Sequence, residues 1–454
     1  MNGEIKEWVA KEFSGLCFGS VRLERRFKKT MSDISEYPEK SIWLSSGSRS
    51  NAKAVYRMLG NERFDKKEIL SAHRNAVDIR NEEKILLAVQ DTMSVNYSTR
   101  ENTEGMGYNC EQALGINVHS CLYITPQGIP MGVADQSVTT RKFPVDERSH
   151  HEKRMRKIED KESYRWLETM KTAAKNAPEN VELVHIADRE GDIYELYAAA
   201  MRSGQKFVIR AIHNRMTIDG QHILDELNSS TPKGDIKLII PENHKKKTKE
   251  RESIFELRFI NIDVKKPQIR SKDNNIEDSL KLSLISLKET NSLKDQEKIE
   301  WILMTNLELS SCEAALTAIE YYHHRWKIER FHYVLKSGCE IEKIQQHSVD
   351  RIEMMILMYS IISIHIMMLT YISRNFPDTP CELIFSESEW KTLYRAANKT
   401  KIAPDMPYSI ADAVKYVAKL GGWVGAPSDG PPGLKVVWFG LNALFILNNY
   451  RDFI

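Results

Sequence analysis

Cysteine is scarce and unpatterned. The 454-residue chain holds six, Cys17, Cys110, Cys121, Cys312, Cys339 and Cys381, with no Cys-x-x-Cys pair. That excludes a regular disulfide framework and points to free thiols in a reducing cytoplasm. The adjacent pairs His150-His151 and His323-His324 have no cysteine pair at zinc spacing, so structural zinc is not expected. An excess of either charge is also missing: 65 Lys and Arg stand against 63 Asp and Glu, and bulk charge therefore names no partner. The opening MNGEIKEWVAKEF contains acidic residues and no apolar centre, unlike a signal peptide. No internal repeat is visible. One segment departs from this soluble texture. MMILMYSIISIHIMMLTYI, residues 354–372, is about long enough to cross a bilayer. Ser360, Ser363 and His365 interrupt it and Arg351 and Arg374 flank it, so it reads as a helix buried between protein layers, with a single transmembrane span as the alternative.

What the chain does have is charge that is unevenly placed. Residues 1–75 carry 15 Lys and Arg against 10 Asp and Glu, and basic runs recur at 25–29, 152–157 and 244–251. Such runs can neutralise phosphates, although most basic runs are simply solvated surface. The first 75 residues have helical periodicity and no strand pattern. They predict a small helical domain with Arg25, Arg26, Lys53 and Arg57 available to phosphates, an ordinary helical subdomain being the alternative.

From residue 84 the pattern changes. KILLAVQD (84–91) is a short apolar run stopping on Asp91, and residues 118–138 read as two strands joined by a Pro-Gln-Gly turn. A helix at 161–177 precedes VELVHIAD (181–188), a second run stopping on aspartate, followed by a helix from Asp192 and a strand at 206–212. A meander followed by alternating strands and helices describes an α/β fold, a ribonuclease-H-like mixed sheet. Between about 213 and 308 four alternating segments predict an inserted antiparallel β-subdomain. The expected organisation is a helical domain at 1–75, an α/β domain at 76–375 containing that insertion, and a helical domain at 376–454, to which the resemblance given below assigns DNA binding, catalysis and dimerisation in turn.

Two strands ending in aspartate and a helix offering Glu329 suit a two-metal site. Mg²⁺ prefers carboxylate oxygens, and a pair of ions about 3.5–4 Å apart serves both attacking and leaving oxygens. Asp91, on a central strand, is the candidate bridge; Asp188 and Glu329 would each complete one shell. Glu190 and Asp192 read instead as helix-capping charges. In YYHHRWKIERFHYVLK (321–336), taken as one helix, Tyr322, Arg325, Glu329 and Lys336 share a sector roughly 60° wide. A solvated face with an i,i+4 pair is the bland alternative.

AVQDTMSVNY, HIADREGDIYEL and the spacing Tyr-x2-Arg-x3-Glu-x6-Lys together resemble the blocks of bacterial insertion-sequence DDE transposases, in the branch typified by the transposase of transposon five. The resemblance extends to RRF and AVYRML near the start and KLGGW near the end. It implies that Asp91, Asp188 and Glu329 bind two catalytic Mg²⁺ ions, with Mn²⁺ as substitute, and that Tyr322, Arg325 and Lys336 hold phosphates. It implies that Trp301 stacks on a flipped base. It further implies cut-and-paste transposition through a hairpin, a homodimer that synapses two transposon ends before joining them to target DNA, no membrane partner, and a bacterial, nucleoid-associated location in the cytoplasm. A hydrolysis-only nuclease of the same fold and a DNA-binding regulator derived from a transposase are the alternatives.

Overall fold

In the computed structural model, residues 5–142, 149, 152, 155–240, 251–268, 276–291, 298–426 and 429–449 are described. His150, His151 and most of the 244–251 basic run lie outside them.

Five helices open the chain: α1 (Glu7–Glu12), α2 (Val21–Glu36), α3 (Ile42–Ser45), α4 (Arg49–Leu59) and α5 (Lys66–Arg80). Side chains of Ser20, Ser41, Ser48 and Asp65 accept hydrogen bonds from the first turns of the last four, satisfying amides that a helix leaves orphaned. Phe13, Phe18, Phe27 and Phe64 close the centre of this region, Phe13 and Phe27 meeting edge to face at 4.8 Å. Buried Glu12 ties α1 to α5 by bonding both His73 and Arg80. Burial pushes its carboxyl upward, but His73 and Arg80 outweigh that and hold it down to about 2. Through Nε2, His73 then accepts the Val133 amide of the sheet.

The sheet has ten strands: β1 (Ile85–Asn96), β2 (Gly107–Tyr108), β3 (Leu114–Ile124), β4 (Pro130–Thr139), β5 (Glu182–Ala187), β6 (Lys206–Arg210), β7 (Gly234–Ile240), β8 (Arg251–Lys265), β9 (Ser279–Glu289) and β10 (Glu300–Thr305). Their order is β2-β3-β1-β5-β6-β10-β9-β8-β7, with β4 on β3. β1, β5 and β6 are parallel neighbours, and the other pairings are antiparallel. The insertion is thus antiparallel but continues the same sheet: β10 pairs with β6, covering an edge that would otherwise expose unpaired amides. It also holds a helix, Ile223–Ser229, that strand alternation did not foresee. The helices from here on are α6 (Tyr164–Lys175), α7 (Tyr194–Arg202), α8 (Ile223–Ser229), α9 (Cys312–His323), α10 (Trp326–Tyr333), α11 (Val349–Asn375), α12 (Glu387–Asn398), α13 (Ile410–Leu420) and α14 (Leu434–Asn449).

The apolar run at 354–372 forms most of α11, and 83% of its most apolar 18-residue window is buried inside the fold. α11 packs on β4, on α2 and α5, and on α13 and α14, which is why it is apolar around its whole circumference. Its polar residues find partners within the protein: Ser360 bonds Gln136, Ser363 donates to the Tyr359 carbonyl, and His365 stacks on Trp8 at 4.4 Å.

Candidate active site

β1 does not stop at Asp91. It runs on to Asn96 because Thr92 to Asn96 pair with His119 to Gly115 of β3, so Asp91 lies inside a strand rather than at its end. β5 does end just before Asp188. β1 and β5 run in parallel register with Val89 opposite Ile186, and extending that register by two residues brings Asp91 level with Asp188. Thr92 N–H donates to Asp91 Oδ1 at 2.7 Å, and Glu190 N–H donates to Asp188 Oδ1 at 2.8 Å.

The stretch expected as one helix is broken. α9 ends at His323, and α10 starts at Trp326. At the break His324 Nε2–H donates to the Pro126 carbonyl at 2.8 Å, tying the chain to the turn between β3 and β4. A π turn at Val334–Gly338 then carries Lys336, a distortion often found at functional sites. One ideal wheel therefore does not describe Tyr322, Arg325, Glu329 and Lys336, yet they remain neighbours. Arg325 Nη2 lies 2.8 Å from Glu329 Oε1, and its guanidinium sits 6.0 Å from the centre of the Tyr322 ring. Tyr322, only 2% exposed, meets half-buried Trp301 edge to face at 5.2 Å.

Burial first, then the charge of Asp188 and more weakly that of Glu329, pushes the Asp91 carboxyl up to about 7. The three expected acids thus share one electrostatic neighbourhood. In front of it lies a cleft of about 570 Å³ lined by Thr92, Ser94, Glu190, Glu329, His332, Tyr333 and Lys336, among others. Asp91 and Asp188 do not line it themselves but are one and two residues from Thr92 and Glu190. Among the described residues no group of three His, Cys, Asp or Glu stands ready to hold a metal ion. Each of the three carboxylates is instead turned to an internal donor. The chemistry of the donor set still fits a hard divalent cation: all three groups are carboxylates, and Asp91 is a buried one beside a second acid.

Several neighbours were not anticipated. Arg165 on α6 donates from Nε to Thr92 Oγ1 at 3.1 Å and from Nη2 to Glu190 Oε2 at 2.9 Å, spanning the two aspartate-bearing strands. A lone arginine in KESYRW carries no signal of this. Asp192 does not cap α7 as expected. It is 4% exposed, pairs with Arg215, and accepts the Ile212 and His213 amides at 2.7 and 2.8 Å, because the chain after β6 folds back over it. Among the amino-terminal cations, Arg25, Lys53 and Arg57 are exposed, whereas Arg26 is half-buried and donates to Asn51.

Three family descriptions match the chain. They are transposase DNA-binding at 5–64, transposase DDE domain at 161–364, and transposase Tn5 dimerisation domain at 361–451. The DDE match takes in Asp188, Trp301 and the Tyr322-to-Lys336 series but begins after Asp91. Among solved structures, a cryo-EM structure of the piggyBac transposase synaptic complex with hairpin DNA is similar at a TM-score of 0.36 and 11% identity, over 83% of this chain and 69% of that one. A likeness at that level decides nothing about this chain. The mixed sheet and three matched regions define a DDE-type polynucleotidyl transferase and endonuclease. The chain belongs to the insertion-sequence DDE transposases and resembles that of Tn5, a family whose chemistry uses divalent metal.

Proposed function

We propose that the protein is a cut-and-paste transposase of the bacterial cytoplasm, working at the nucleoid, that cleaves the ends of its own element through a hairpin and joins the 3′ ends to target DNA as a synaptic homodimer. The observation that carries this reading is the parallel register of β1 and β5, which extended by two residues sets Asp91 level with Asp188, with Glu329 on the cleft in front of them. Asp91, Asp188 and Glu329 would hold two Mg²⁺ ions, or Mn²⁺, which when bound activate the attacking oxygen and stabilise the leaving one.

The rest of the work falls to the chain's own groups. Arg325 and Lys336 grip the phosphate backbone beside the cleaved bond, Arg325 as a planar fork and Lys336 as a point charge. Tyr322, buried behind Arg325, acts on the phosphate by holding that guanidinium in place. Trp301 offers an aromatic face to a base turned out of the end duplex. Arg25, Lys53 and Arg57, with Arg26 behind them, hold the end repeat at a distance from the cut. Each step is an in-line attack at phosphorus, so one site serves hydrolysis, hairpin formation and joining while the nucleophile changes from water to a sugar hydroxyl. Domains at 1–75, 76–375 and 376–454 divide DNA binding, chemistry and dimerisation.

Purified protein incubated with Mg²⁺ and a supercoiled plasmid carrying the element's inverted repeats tests the reading. Excised ends, hairpins and inserted products are expected; nicks alone would mean a hydrolysis-only nuclease, and binding without cleavage a regulator.

A further inference from the structure

α10 turns Ile328, Phe331 and His332 inward and leaves Trp326, Arg330 and Tyr333 exposed. At about 100° per residue the outward side chains form one arc. Tyr333 stands beside the Glu329 edge, Trp326 and Arg330 follow, and Lys327 closes the far side. Trp326 and Tyr333 are 50% and 53% exposed. The Trp326 ring holds the Arg325 guanidinium 4.8 Å from its centre and stays half-exposed beyond it, and exposed rings next to a cation are the make-up of a nucleic-acid platform, where rings meet bases and cations meet phosphates.

At the Lys327 edge the arc meets the end of α11. Lys327 Nζ lies 3.7 Å from the centre of the Tyr371 ring, and the Arg374 guanidinium lies 5.7 Å from it. Arg330 is close enough to work against the charge on both. Among the described residues none of these three cations forms an ion pair with a carboxylate, although ion pairs are frequent elsewhere in the chain. Three like charges around one ring repel one another until an anion arrives, and a run of phosphates supplies such anions.

We propose that this outer arc, with Lys327, Arg330 and Arg374 as its phosphate contacts and Trp326 and Tyr333 as its aromatic surface, is the seat of target DNA. The inference rests on the cut-and-join reading above. Two DNAs must reach the same carboxylates at the joining step, and two duplexes cannot share one face. The Trp301, Tyr322 and Arg325 side is taken by the donor end in that reading. The arc meets that side at Trp326, under Arg325, and at Tyr333 in the cleft, and runs away from it through Arg330 to Lys327 and Arg374.

The test uses the full chain loaded with pre-cut ends, Mg²⁺ and a supercoiled target, comparing wild type with a Lys327→Gln, Arg330→Gln, Arg374→Gln triple variant and with Arg330→Glu alone. Joining is expected to fall at least about tenfold in both variants while cleavage of uncut ends stays within about twofold. Unchanged joining, or cleavage lost in proportion to joining, overturns the inference. A second arm measures the salt dependence of binding of a plain duplex to the end-loaded protein, where the triple variant's log–log slope should be smaller by roughly two to three. An unchanged slope sinks the assignment whether or not wild type joins. Wild type that fails to join, with a slope that still falls in the variant, would instead overturn the transposase reading and leave the DNA seat standing.

Discussion

Arg325 reaches along α10 to Glu329, 2.8 Å away, with its own side chain only 10% exposed against 40% for the glutamate. The carboxylate expected to take a metal is therefore already engaged by the guanidinium expected to take a phosphate. The two demands compete until DNA is present. Arg325→Gln should free Glu329, so divalent-metal binding to the DNA-free protein should tighten severalfold, read by Mn²⁺ titration. End cleavage should nevertheless fall roughly 10²–10³-fold, the usual cost of losing one preorganised charge at the reacting group. Arg325→Lys, which keeps the charge but not the fork, should fall between. Weaker metal binding in Arg325→Gln would mean that Glu329 is not a ligand.

Asp91 makes stability depend on pH with an unusual sign. Its carboxyl ionises near 3.8 when unfolded but near 7 when folded, so the folded state holds the proton more tightly. Its contribution is most favourable below the unfolded value and is lost as pH rises through 7. Asp91→Asn should consequently melt a few degrees above wild type at pH 8 in chelator and no higher at pH 4. Adding Mg²⁺ at pH 8 should raise the wild-type midpoint and leave the variant's nearly unmoved. A variant that melts below wild type at pH 8 in chelator would contradict the electrostatic picture.

How much of this was legible beforehand differs from element to element. The alternation in LKLSLISLKE and the apolar runs before Asp91 and Asp188 located β9, β1 and β5, whose nearly continuous burial matches strands covered on both faces. The extension of β1 past Asp91 was not legible, because Thr92 to Asn96 become strand only by pairing with β3. The break between α9 and α10 has no glycine or proline to announce it. His324 and Arg325 even keep right-handed helical dihedrals, with φ −68° and −52°, and the partner of His324 at the break, Pro126, lies far off in the chain. Asp192 read as a cap because caps depend on sequence neighbours, whereas its partner Arg215 lies beyond β6. The grouping of Tyr322, Arg325, Glu329 and Lys336 rested on spacing, and they stay together through a distorted helix for which a single wheel was the wrong geometry.

Arg165 is the neighbour that no pattern pointed to. By holding Thr92 and Glu190 together it sets the distance between the strand bearing Asp91 and the turn that follows Asp188. Arg165→Ala should slow end cleavage about 10–100-fold at saturating metal, as expected when reacting groups are held too loosely. End binding through the amino-terminal helices should be unchanged in a gel-shift assay. Equal loss of binding and cleavage would assign the residue to DNA contact rather than positioning.

α13 and α14 lie in the region matched by the Tn5 dimerisation description. Gly421 and Gly440 lie where α13 and α14 cross. A Cβ at Gly440 would stand 1.7 Å from the Val417 carbonyl oxygen, and one at Gly421 would stand 1.9 Å from that of Val436. Backbone cannot yield as a side-chain tip can, so either methyl must part the helices and open the core formed by Val414, Val417, Val437 and Leu444. Gly440→Ala should cost about 1–3 kcal/mol or more. If this region joins two copies, the variant should bind a single end normally yet fail to form paired-end complexes on native gels. Gly430→Ala, with nothing within 4 Å of its added carbon, serves as the control and should pair ends like wild type. Normal pairing by a Gly440→Ala protein whose melting has clearly dropped would move the dimer contact away from these helices.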